Sequence, residues 1–529
     1  MARSPEMDGL ARSGAGVRSG EIFAALSLAT DLGTGQALEH GLRTCLIALG
    51  LAEAAGIEGD ELEDVYYLGF LHSIGCTADA PEAAALFGDD RAPRAAYTLI
   101  DPGRPAEMVG YLWRNVRPQT AAPQRLRAFA SAMASGPGGA RASIRNHCEV
   151  AERLAERLRL SPRVREGLWF VLERWDGKGM PKGIAGEQIP VAARILHAAR
   201  DASAFHTLGG IQLVETMADR SAGAGLDPSI AALLRARARD LMARVSAEDA
   251  WERVVALEAR PRVFLGETLD EACSVIGDHA DLKSYGTRGH ARSTAEVAEA
   301  AGWRLKLDAG VIAELRQTAL LHDLGRVAVS SAVWGKPGAL TRGEWEQVRL
   351  HSYHTERLLS RIPGLGDVAA VAASDHERLD GSGYHRGMSA SQLSVSARVL
   401  AAADAWCAME EPRAHRPALA APQAAAELRA EATAGRLCAQ AVDAVLRSVG
   451  ERGDAVTAPP AGLSGREVEV LRLLARGLTN KQAATELGIS PKTVGHHVES
   501  IYTKIGASTR AAAALFAIEN DLLRPGRQR

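Results

Sequence analysis

The sequence predicts an all-α protein: two related helical domains followed by a smaller four-helix module. Ala-rich segments such as residues 312–321 and 425–449 place apolar residues three and four positions apart, and Gly and Pro loops separate these segments. Strand-like alternation is scarce, and aromatic residues make up only 5% of the chain. We therefore expect helices to form nearly all of the regular structure.

Length and composition set the class of protein. A chain of 529 residues is too long for one core, and about 150 residues per domain suggests roughly three or four domains. With 47% hydrophobic and 24% charged residues, the chain has the composition of a folded soluble protein. Its net charge of -2 excludes a uniformly basic nucleic-acid coat. The absence of a long apolar stretch or a secretory leader predicts a cytoplasmic protein without a membrane partner.

The six cysteines are far apart in the sequence, and none forms a CxxC pair. This spacing argues against a disulfide framework and against thiolate zinc sites. We expect isolated buried thiols.

The chain contains an internal repeat. The spacing from His40 to His72 is 32 residues, as is the spacing from His290 to His322, and both second histidines end an apolar helix. His147 precedes the loop DGKGMPKG by 29 residues, and His351 precedes DGSGYHRG by the same 29. Similar helices follow both loops, so the sequence predicts two copies of one module.

Composition shifts then divide the chain. A Gly- and Pro-rich stretch after the second copy reads as a linker, because a new periodic pattern begins directly after it. The predicted parts are a disordered N-terminus (1–20), a degenerate first copy (21–245), a second copy (262–448), a linker (450–462) and a C-terminal module (463–524).

The second copy carries the pattern of a metal site. A lone histidine on an apolar helix is more often a core residue than a ligand, but here seven donors fall in one helical domain: His290, His322, Asp323, His351, Asp375, His376 and Asp404. Burying them without a common partner would cost on the order of several kcal/mol each, whereas divalent metals satisfy them together. Because an adjacent His and Asp can serve two metals, we expect two divalent ions, with Fe or Mn favoured and Zn or Ni as alternatives.

At these residues the second copy resembles an HD-GYP domain, the branch of the HD phosphohydrolase superfamily that hydrolyses cyclic di-GMP. The matching stretches are LLHDLGRVAV, WGKPGALT, DHERLDGSGY and AAADAW, together with the upstream His290 and the helix at His351. The resemblance implies that His290, His322, Asp323 and Asp404 form one metal site and that His351, Asp375 and His376 serve a second metal. It implies catalytic roles for Asp323 and Arg326, and substrate contacts from Gly381, Gly383, Tyr384, Arg413 and Arg416.

Three positions depart from the family pattern. Arg326 replaces the usual lysine, Asp375 replaces the first histidine of a pair, and His385 replaces the proline of the GYP signature. The intact ligand set favours a metal-dependent cyclic di-GMP phosphodiesterase, whereas the three departures favour a domain that senses a cyclic dinucleotide.

The first copy resembles the same domain more weakly. It keeps His40, His72 and His147, but Ser73 stands in the place of Asp323 and Arg200 in the place of Asp404. Val171 and Leu172 replace the Asp-His pair. Without the bridging carboxylate, two-metal chemistry is not expected there. A scaffold or pairing role is the first hypothesis, and ligand sensing is the alternative.

The C-terminal module has the pattern of a helix-turn-helix. Ser464 is a predicted N-cap with Glu467 as its capping-box partner, Gly477 ends the first helix, and a second begins near Asn480. Gly488 supplies the turn before a third helix that Ser490 caps. On that helix the predicted buried stripe is Val494, Val498, Ile501 and Ile505, which leaves a polar face outward.

This module closely resembles a LuxR-type DNA-binding domain, with matches that include Glu467, Gly477, Thr493, Val494 and Lys504. Ten Lys or Arg against six acidic residues from residue 463 onward give a net charge of +4. The expected DNA contacts are Lys481, Lys492, Thr493, Gly495, His496, Glu499 and Lys504. The chain is thus predicted to be a homodimeric transcriptional regulator controlled by its HD-GYP-like part; the alternative is a phosphodiesterase with an accessory DNA-binding head.

Overall fold

The computed structural model describes residues 16–246, 249–450 and 459–523. The chain divides into two compact units, with the boundary between residues 264 and 265. Helices dominate both units, which confirms the all-α prediction. In the described part of the chain, the paired strands are β1 (Val17–Arg18) and β2 (Val263–Phe264), which are antiparallel with Val17 opposite Phe264.

The first unit is built from helices that pack around α2, α3 and α9. Glycines kink two of the long helices, at Gly136 and at Gly209–Gly210. The helices are α1 (Ser19–Thr34), α2 (His40–Ala54), α3 (Gly59–Leu71), α4 (Ala80–Phe87), α5 (Ala92–Tyr97), α6 (Pro105–Asn115), α7 (Ala122–Arg157), α8 (Pro162–Gly167), α9 (Val191–Ser221), α10 (Pro228–Ser246) and α11 (Ala250–Ala256).

The second unit contains both the second copy of the repeat and the C-terminal module. Its helices are α12 (Glu267–Asp281), α13 (His290–Arg304), α14 (Ala309–Leu321), α15 (Ser331–Trp334), α16 (Arg342–Leu359), α17 (Gly366–Ala372), α18 (Val395–Glu410), α19 (Ala421–Thr433), α20 (Ala439–Gly450), α21 (Gly465–Ala475), α22 (Asn480–Leu487), α23 (Pro491–Ile505) and α24 (Arg510–Glu519).

Two predicted boundaries need correction. Residues 17–20, predicted as part of a disordered N-terminus, form β1 and the start of α1, because β1 pairs with β2 and the Ser19 amide donates to the Arg262 carbonyl. Residues 1–15 of that segment lie outside the described residues. Residues 249–261, which lie between the two predicted copies and include α11, belong to the first unit, and so do residues 262–264 of the predicted second copy, which include β2.

The predicted linker is described only at its ends. Gly450 is the last residue of α20, and residues 460–462 form a 3₁₀ turn that leads into α21. Residues 451–458 lie outside the described residues. The division of the second unit into a second copy, a linker and a C-terminal module stays a prediction.

The two copies build their histidine-bearing helices in the same way. His40 is the first residue of α2 and His290 is the first residue of α13, and each follows a residue with left-handed backbone, Glu39 and Gly289. Asp31 accepts from the Gly41 amide, and Asp281 accepts from the Ala291 amide, so a buried carboxylate ties down each helix start.

A glycine lets the turn after His322 lie against the helix that carries His351. His72 and His322 cap the C-termini of α3 and α14, and a short 3₁₀ turn follows each. A Cβ on Gly325 would overlap the His351 carbonyl oxygen and lie 2.6 Å from the Thr355 amide nitrogen. The turn can therefore approach the backbone of α16 only because residue 325 has no side chain.

The C-terminal helices form their own core, as the sequence pattern predicted. Val494 and Ile501 are fully buried, Ile505 is buried, and Val498 packs against the same cluster with Leu471. The capping box at Ser464 and the left-handed C-cap at Gly488 are both present. In the described residues, no helix has the length and apolarity that a membrane span requires.

We predict that Gly325→Ala lowers the free energy of unfolding by about 1–3 kcal/mol, because the added methyl group forces the turn away from α16. Thermal unfolding would measure this as a lower melting temperature. Gly343→Ala is the matched control, since nothing lies within 4 Å of a Cβ there. Equal melting temperatures for the two variants would contradict the prediction.

Candidate metal centre and helix-turn-helix surface

The seven predicted metal ligands come together in two adjoining clusters. Within each cluster, the donor atoms lie within 4.8 Å of one another. The first cluster is His290, His322 and Asp404; the second is Asp323, His351, Asp375 and His376. All seven are buried except His376, which is partly exposed. These are the two sets that the sequence predicted, except that Asp323 joins the second cluster.

Asp323 lies between the two clusters. Its Oδ2 is 3.7 Å from Nε2 of His290 and 3.5 Å from Nε2 of His322, while its Oδ1 is 3.5 Å from Nε2 of His351. Ligands of one ion, each about 2.0–2.2 Å from it, are separated by roughly 3–4 Å. If two divalent ions were bound, Asp323 could therefore serve both clusters.

The remaining ligands complete both sets. Asp404 Oδ1 is 3.0 Å from Nε2 of His290 and 3.8 Å from Nε2 of His322. Asp375 Oδ2 is 3.2 Å from Nε2 of His376 and 3.8 Å from Nε2 of His351. These separations are compatible with ligands that converge on shared ions.

The outer ring nitrogens orient the imidazoles. His322 Nδ1–H donates to the Ala319 carbonyl at 2.8 Å, and His351 Nδ1–H donates to the Val348 carbonyl. In the neutral form of each ring, Nε2 therefore carries a lone pair directed at the cluster. Among the described residues, buried His322 Nε2, Asp323 Oδ1 and Asp375 Oδ2 have no hydrogen-bond partner. Such unsatisfied atoms fit a site for divalent metal ions.

The electrostatics of the site fit the same interpretation. Burial alone would lower the pKa of His322, but the carboxylate of Asp323 raises it to about 9. Burial opposes protonation of His290 as well, but Glu411 and Asp404 raise its pKa to about 10. Burial disfavours ionisation of Asp323, yet Arg326 and the surrounding imidazoles hold its pKa well below the ordinary range. The directions of these pKa shifts show that the carboxylates make the site favourable for positive charge.

Arg326 contacts Asp323 directly. Its Nη1 donates to Asp323 Oδ2 at 2.7 Å, and its guanidinium lies over the Trp334 ring at 4.1 Å. The guanidinium therefore adds positive charge beside the oxygen that faces His290 and His322. Its predicted catalytic role stays a prediction.

The predicted substrate loop lies beside the second cluster. The Tyr384 ring stacks on His376 with centroids 4.8 Å apart. Gly381 has a left-handed backbone, and a Cβ on Gly383 would overlap the backbone of Glu377. Buried Glu377 accepts hydrogen bonds from the amides of Arg386 and Met388, so a carboxylate holds this loop in place.

The two predicted substrate arginines bind their own segment. Arg413 donates to Glu411 Oε2 at 2.7 Å, and Arg416 donates to carbonyls that include those of Met409 and Pro417. Their substrate contacts stay predictions.

Sequence reasoning missed two carboxylates that position the ligands. Glu411 accepts from His290 Nδ1–H at 3.0 Å, which leaves Nε2 of that ring for a metal. Asp281 anchors the start of α13 through the Ala291 amide. The repeat carried a signal for Asp281, because Asp31 precedes His40 and Asp281 precedes His290 by the same nine positions.

Two histidines of the first copy, His40 and His72, have the opposite electrostatics. Burial, together with the cation of Arg200, lowers the pKa of His40 to about 4. Burial and the neighbouring His40 lower the pKa of His72 to about 3. In the described part of the chain, both clusters of three or more metal ligands lie in the second copy. A guanidinium beside neutral imidazoles disfavours a bound metal cation.

The predicted DNA contacts occupy the outer face of α22 and α23. Lys481, Lys492, Thr493, His496 and Glu499 are exposed, and Gly495 is half-buried on the same helix as four of them. Thr493 donates its amide to Ser490 at the helix start. The polar face that the sequence predicted is therefore present at the surface.

Lys504 makes a structural contact. Its Nζ donates to both carboxylate oxygens of Glu467, at 2.9 and 2.7 Å, and Glu467 is buried. The ion pair fastens α23 to the first turn of α21. Its predicted DNA contact would compete with this pair.

Comparison with protein families assigns the two parts. A model of the HD domain family matches residues 135–222 and 274–437, and a model of bacterial regulatory proteins of the luxR family matches residues 461–517. The chain carries an HD domain and a LuxR-family helix-turn-helix domain. The HD match includes every predicted metal ligand, and the LuxR-family match includes every predicted DNA contact.

Curated relatives exist for both domains. The 3′3′-cGAMP-specific phosphodiesterase 3 of Vibrio cholerae serotype O1 is 28% identical over 406 residues, which cover 75% of this chain and 88% of that protein. The DNA-binding transcriptional activator DevR/DosR of Mycobacterium tuberculosis is 40% identical over 87 residues, or 16% of this chain and 38% of the activator.

A solved structure shares the fold of the HD part. The crystal structure of a cyclic GMP-AMP specific phosphodiesterase of V. cholerae, V-cGAP3, aligns with a TM-score of 0.57 at 23% identity. The alignment covers 84% of this chain and all of that structure.

We predict that Glu411→Ala weakens Mn²⁺ binding by about 10–100-fold, because His290 loses the partner that orients its ring. Isothermal titration of the metal-free protein would measure the affinity. Glu346→Ala, at an exposed carboxylate on α16, is the control and should bind as the wild type does. Equal affinities for Glu411→Ala and Glu346→Ala would remove Glu411 from the site.

We also predict that Lys492 contacts a DNA phosphate. Lys492→Ala should weaken binding to a random-sequence duplex and reduce the salt slope by about 0.9, as loss of one phosphate contact does. Fluorescence anisotropy at a series of salt concentrations would measure this effect. An unchanged salt slope for Lys492→Ala would exclude that contact.

Lys504, in contrast, is expected to contribute to stability. Lys504→Ala should lower the free energy of unfolding by about 1 kcal/mol, because Glu467 loses its partner. Thermal unfolding would measure this effect.

Proposed function

We propose that this protein is a DNA-binding transcriptional regulator whose HD domain binds and hydrolyses a 3′3′-linked cyclic dinucleotide. The observation that carries the proposal is the buried group of seven imidazole and carboxylate ligands in the same compact unit as a LuxR-family domain. Neither feature alone suggests a ligand-controlled regulator; their combination in one chain does.

The substrate class rests on two likenesses. The relative that matches over 88% of its length is named for 3′3′-cGAMP, and the HD-GYP resemblance implies cyclic di-GMP. Both molecules are rings of two nucleotides joined by two phosphodiester bonds. We propose cyclic dinucleotides of this class as the substrate, and the choice between the two is an outcome of the experiment below.

The proposed site residues would have different roles. His290, His322, His351, Asp323, Asp375, His376 and Asp404 would hold two divalent metal ions. Bound there, the ions would supply positive charge for the phosphoryl oxygens and lower the pKa of a water molecule. Arg326 and Asp323 would set the charge between the two clusters of ligands, and Tyr384 would cover the side of the site next to His376.

A direct contact supports coupling between the two domains. Arg288, two residues before His290, donates through Nη1 to the Ala475 carbonyl at the end of α21, at 2.7 Å. The guanidinium also lies 4.7 Å from the centre of the Tyr285 ring, and a Cβ on Gly477 would lie 2.8 Å from that ring. A ligand that moves the start of α13 would therefore act on the helix-turn-helix domain.

The proposal includes the metal, the oligomeric state and the cellular compartment. We propose Fe or Mn as the metal, because imidazole and carboxylate ligands suit these ions, with Zn or Ni as alternatives. We propose a homodimer, since helix-turn-helix domains read paired half-sites with a two-fold dimer. Binding to chromosomal DNA would place the protein in the cytoplasm.

A second candidate function is favoured by the complete ligand set. In this case the protein would be primarily a metal-dependent phosphodiesterase, and DNA binding would only localise it. The two candidates differ in whether the dinucleotide changes DNA affinity.

The test measures turnover and DNA binding on the same full-length protein loaded with Mn²⁺. We expect hydrolysis of 3′3′-cGAMP or cyclic di-GMP, measured by chromatography, and a change in DNA affinity of about 5–150-fold on addition of dinucleotide. Asp323→Ala should lower hydrolysis by about 100-fold or more, because both clusters lose a ligand. Asp367→Ala, at an exposed carboxylate on α17, should not.

The outcomes separate the candidates. Turnover without any change in DNA affinity would support the phosphodiesterase with an accessory DNA-binding head. Altered DNA affinity without turnover would support a sensor and overturn the hydrolytic part. Absence of both, in metal-loaded protein, would overturn the proposal.

A further inference from the structure

The first copy contains a cysteine in an unusual setting for this chain. Cys76 follows Gly75 in the 3₁₀ turn after α3 and occupies the position that Arg326 has in the second copy. It is half-buried, whereas Cys45, Cys148, Cys273 and Cys407 are fully buried. Cys438 is the other half-buried thiol and serves as its natural comparison.

The fold places a base against this thiol. Cys76 Sγ is 3.4 Å from His147 Nδ1 on α7. A Cβ on Gly75 would overlap the His147 carbonyl oxygen, so the glycine lets the turn approach α7 and brings the next residue to the imidazole. The second copy uses the same approach between Gly325 and His351 to assemble its metal ligands.

A third group orients the imidazole. His147 Nε2 lies 3.1 Å from the His72 carbonyl oxygen, and only an N–H can bond to that oxygen. In the neutral ring the lone pair is therefore on Nδ1, which faces Cys76. A nucleophile, a base and a group that fixes the base form the arrangement of an activated nucleophile.

The surrounding charges favour the ionised pair. Arg94 Nη2 donates to Asp79 Oδ1 at 2.5 Å, and Arg94 Nη1 is buried without a hydrogen-bond acceptor among the residues that the structure describes. Burial and the negative charge of Asp79 oppose ionisation of Cys76. The effects of His147 and Arg94 are larger, so the pKa of the thiol lies below its ordinary value. Burial raises the pKa of Cys148 to about 12.

We propose that Cys76, His147 and Arg94 form a peroxide-reactive thiol site in the first copy. The site is separate from the proposed metal centre and does not depend on it. In the first copy Ser73 stands where the second copy has Asp323, and Cys76 stands where it has Arg326, so a thiol occupies the place of that ion pair. Because Cys76 is only partly exposed, the site favours a small oxidant, such as hydrogen peroxide, over a bulky one.

The reaction balances with peroxide as the oxidant. The Cys76 proton moves to His147 Nδ1, and the thiolate attacks one oxygen of the peroxide. The S–O bond forms as the O–O bond breaks, so sulfur is oxidised to sulfenic acid and the second oxygen is reduced. His147 returns its proton to that leaving oxygen, which departs as water.

The test uses the native full-length protein and mass-spectrometric mapping of each cysteine. At pH 6.5 an ordinary thiol is only about 1% ionised. We expect iodoacetamide to label Cys76 at least about tenfold faster than Cys438 at this pH. Hydrogen peroxide should give a sulfenic acid at Cys76 that dimedone traps, and Cys76→Ser should abolish that adduct.

His147→Gln tests the base. It should slow labelling of Cys76 at pH 6.5 by about tenfold and shift the pH profile of labelling upward, without changing Cys438. If that variant does not fold, the wild type labelled in guanidinium chloride provides the second measurement, since unfolding removes the imidazole from the thiol. Native Cys76 that reacts no faster than Cys438, or no faster than in the denatured chain, would overturn the proposal.

Discussion

The position of the Asp323 carboxylate is the constraint on which the second copy depends. One oxygen faces His290 and His322 and the other faces His351, so a single side chain joins ligands from three helices. This requires the turn after α14 to lie directly against α16, and Gly325 makes that approach possible. The burial of so many polar atoms is tolerable because cations can satisfy them together.

The helices that carry the histidines are arranged alike in the two copies, but the charges around the histidines differ. Both copies start a helix with histidine, end another beside histidine and bring a glycine turn against a long helix. In the second copy carboxylates surround the imidazoles and raise the pKa of His290 and His322. In the first copy, burial and the cation of Arg200 lower the pKa of His40, so the surroundings of His40 and His72 favour neutral imidazoles over a bound metal ion.

The repeat made the fold and the ligands predictable, because equal spacings keep histidines at equivalent helix ends. The four-helix pattern of the C-terminal module was equally readable, since its caps are local. Contacts between residues that are distant in the sequence were not predictable. Glu411 contacts His290 across 121 positions, and Lys504 contacts Glu467 across 37, so neighbouring residues in the sequence do not indicate either contact. Local sequence also could not reveal that Arg416 bonds to carbonyls of its own segment.

The contact between Arg288 and Ala475 connects the proposed metal site to the C-terminal module. Arg288 belongs to the short segment that ends at His290, so its backbone cannot shift without moving a proposed metal ligand. Glu411 holds the same imidazole from the other side, and the Pro412 carbonyl that follows it lies against Gly286. Residues 285–290 are thus held between the proposed metal site and the end of α21. In the proposed regulator, a ligand that displaces Glu411 or His290 would therefore act on the first helix of the C-terminal module through Arg288.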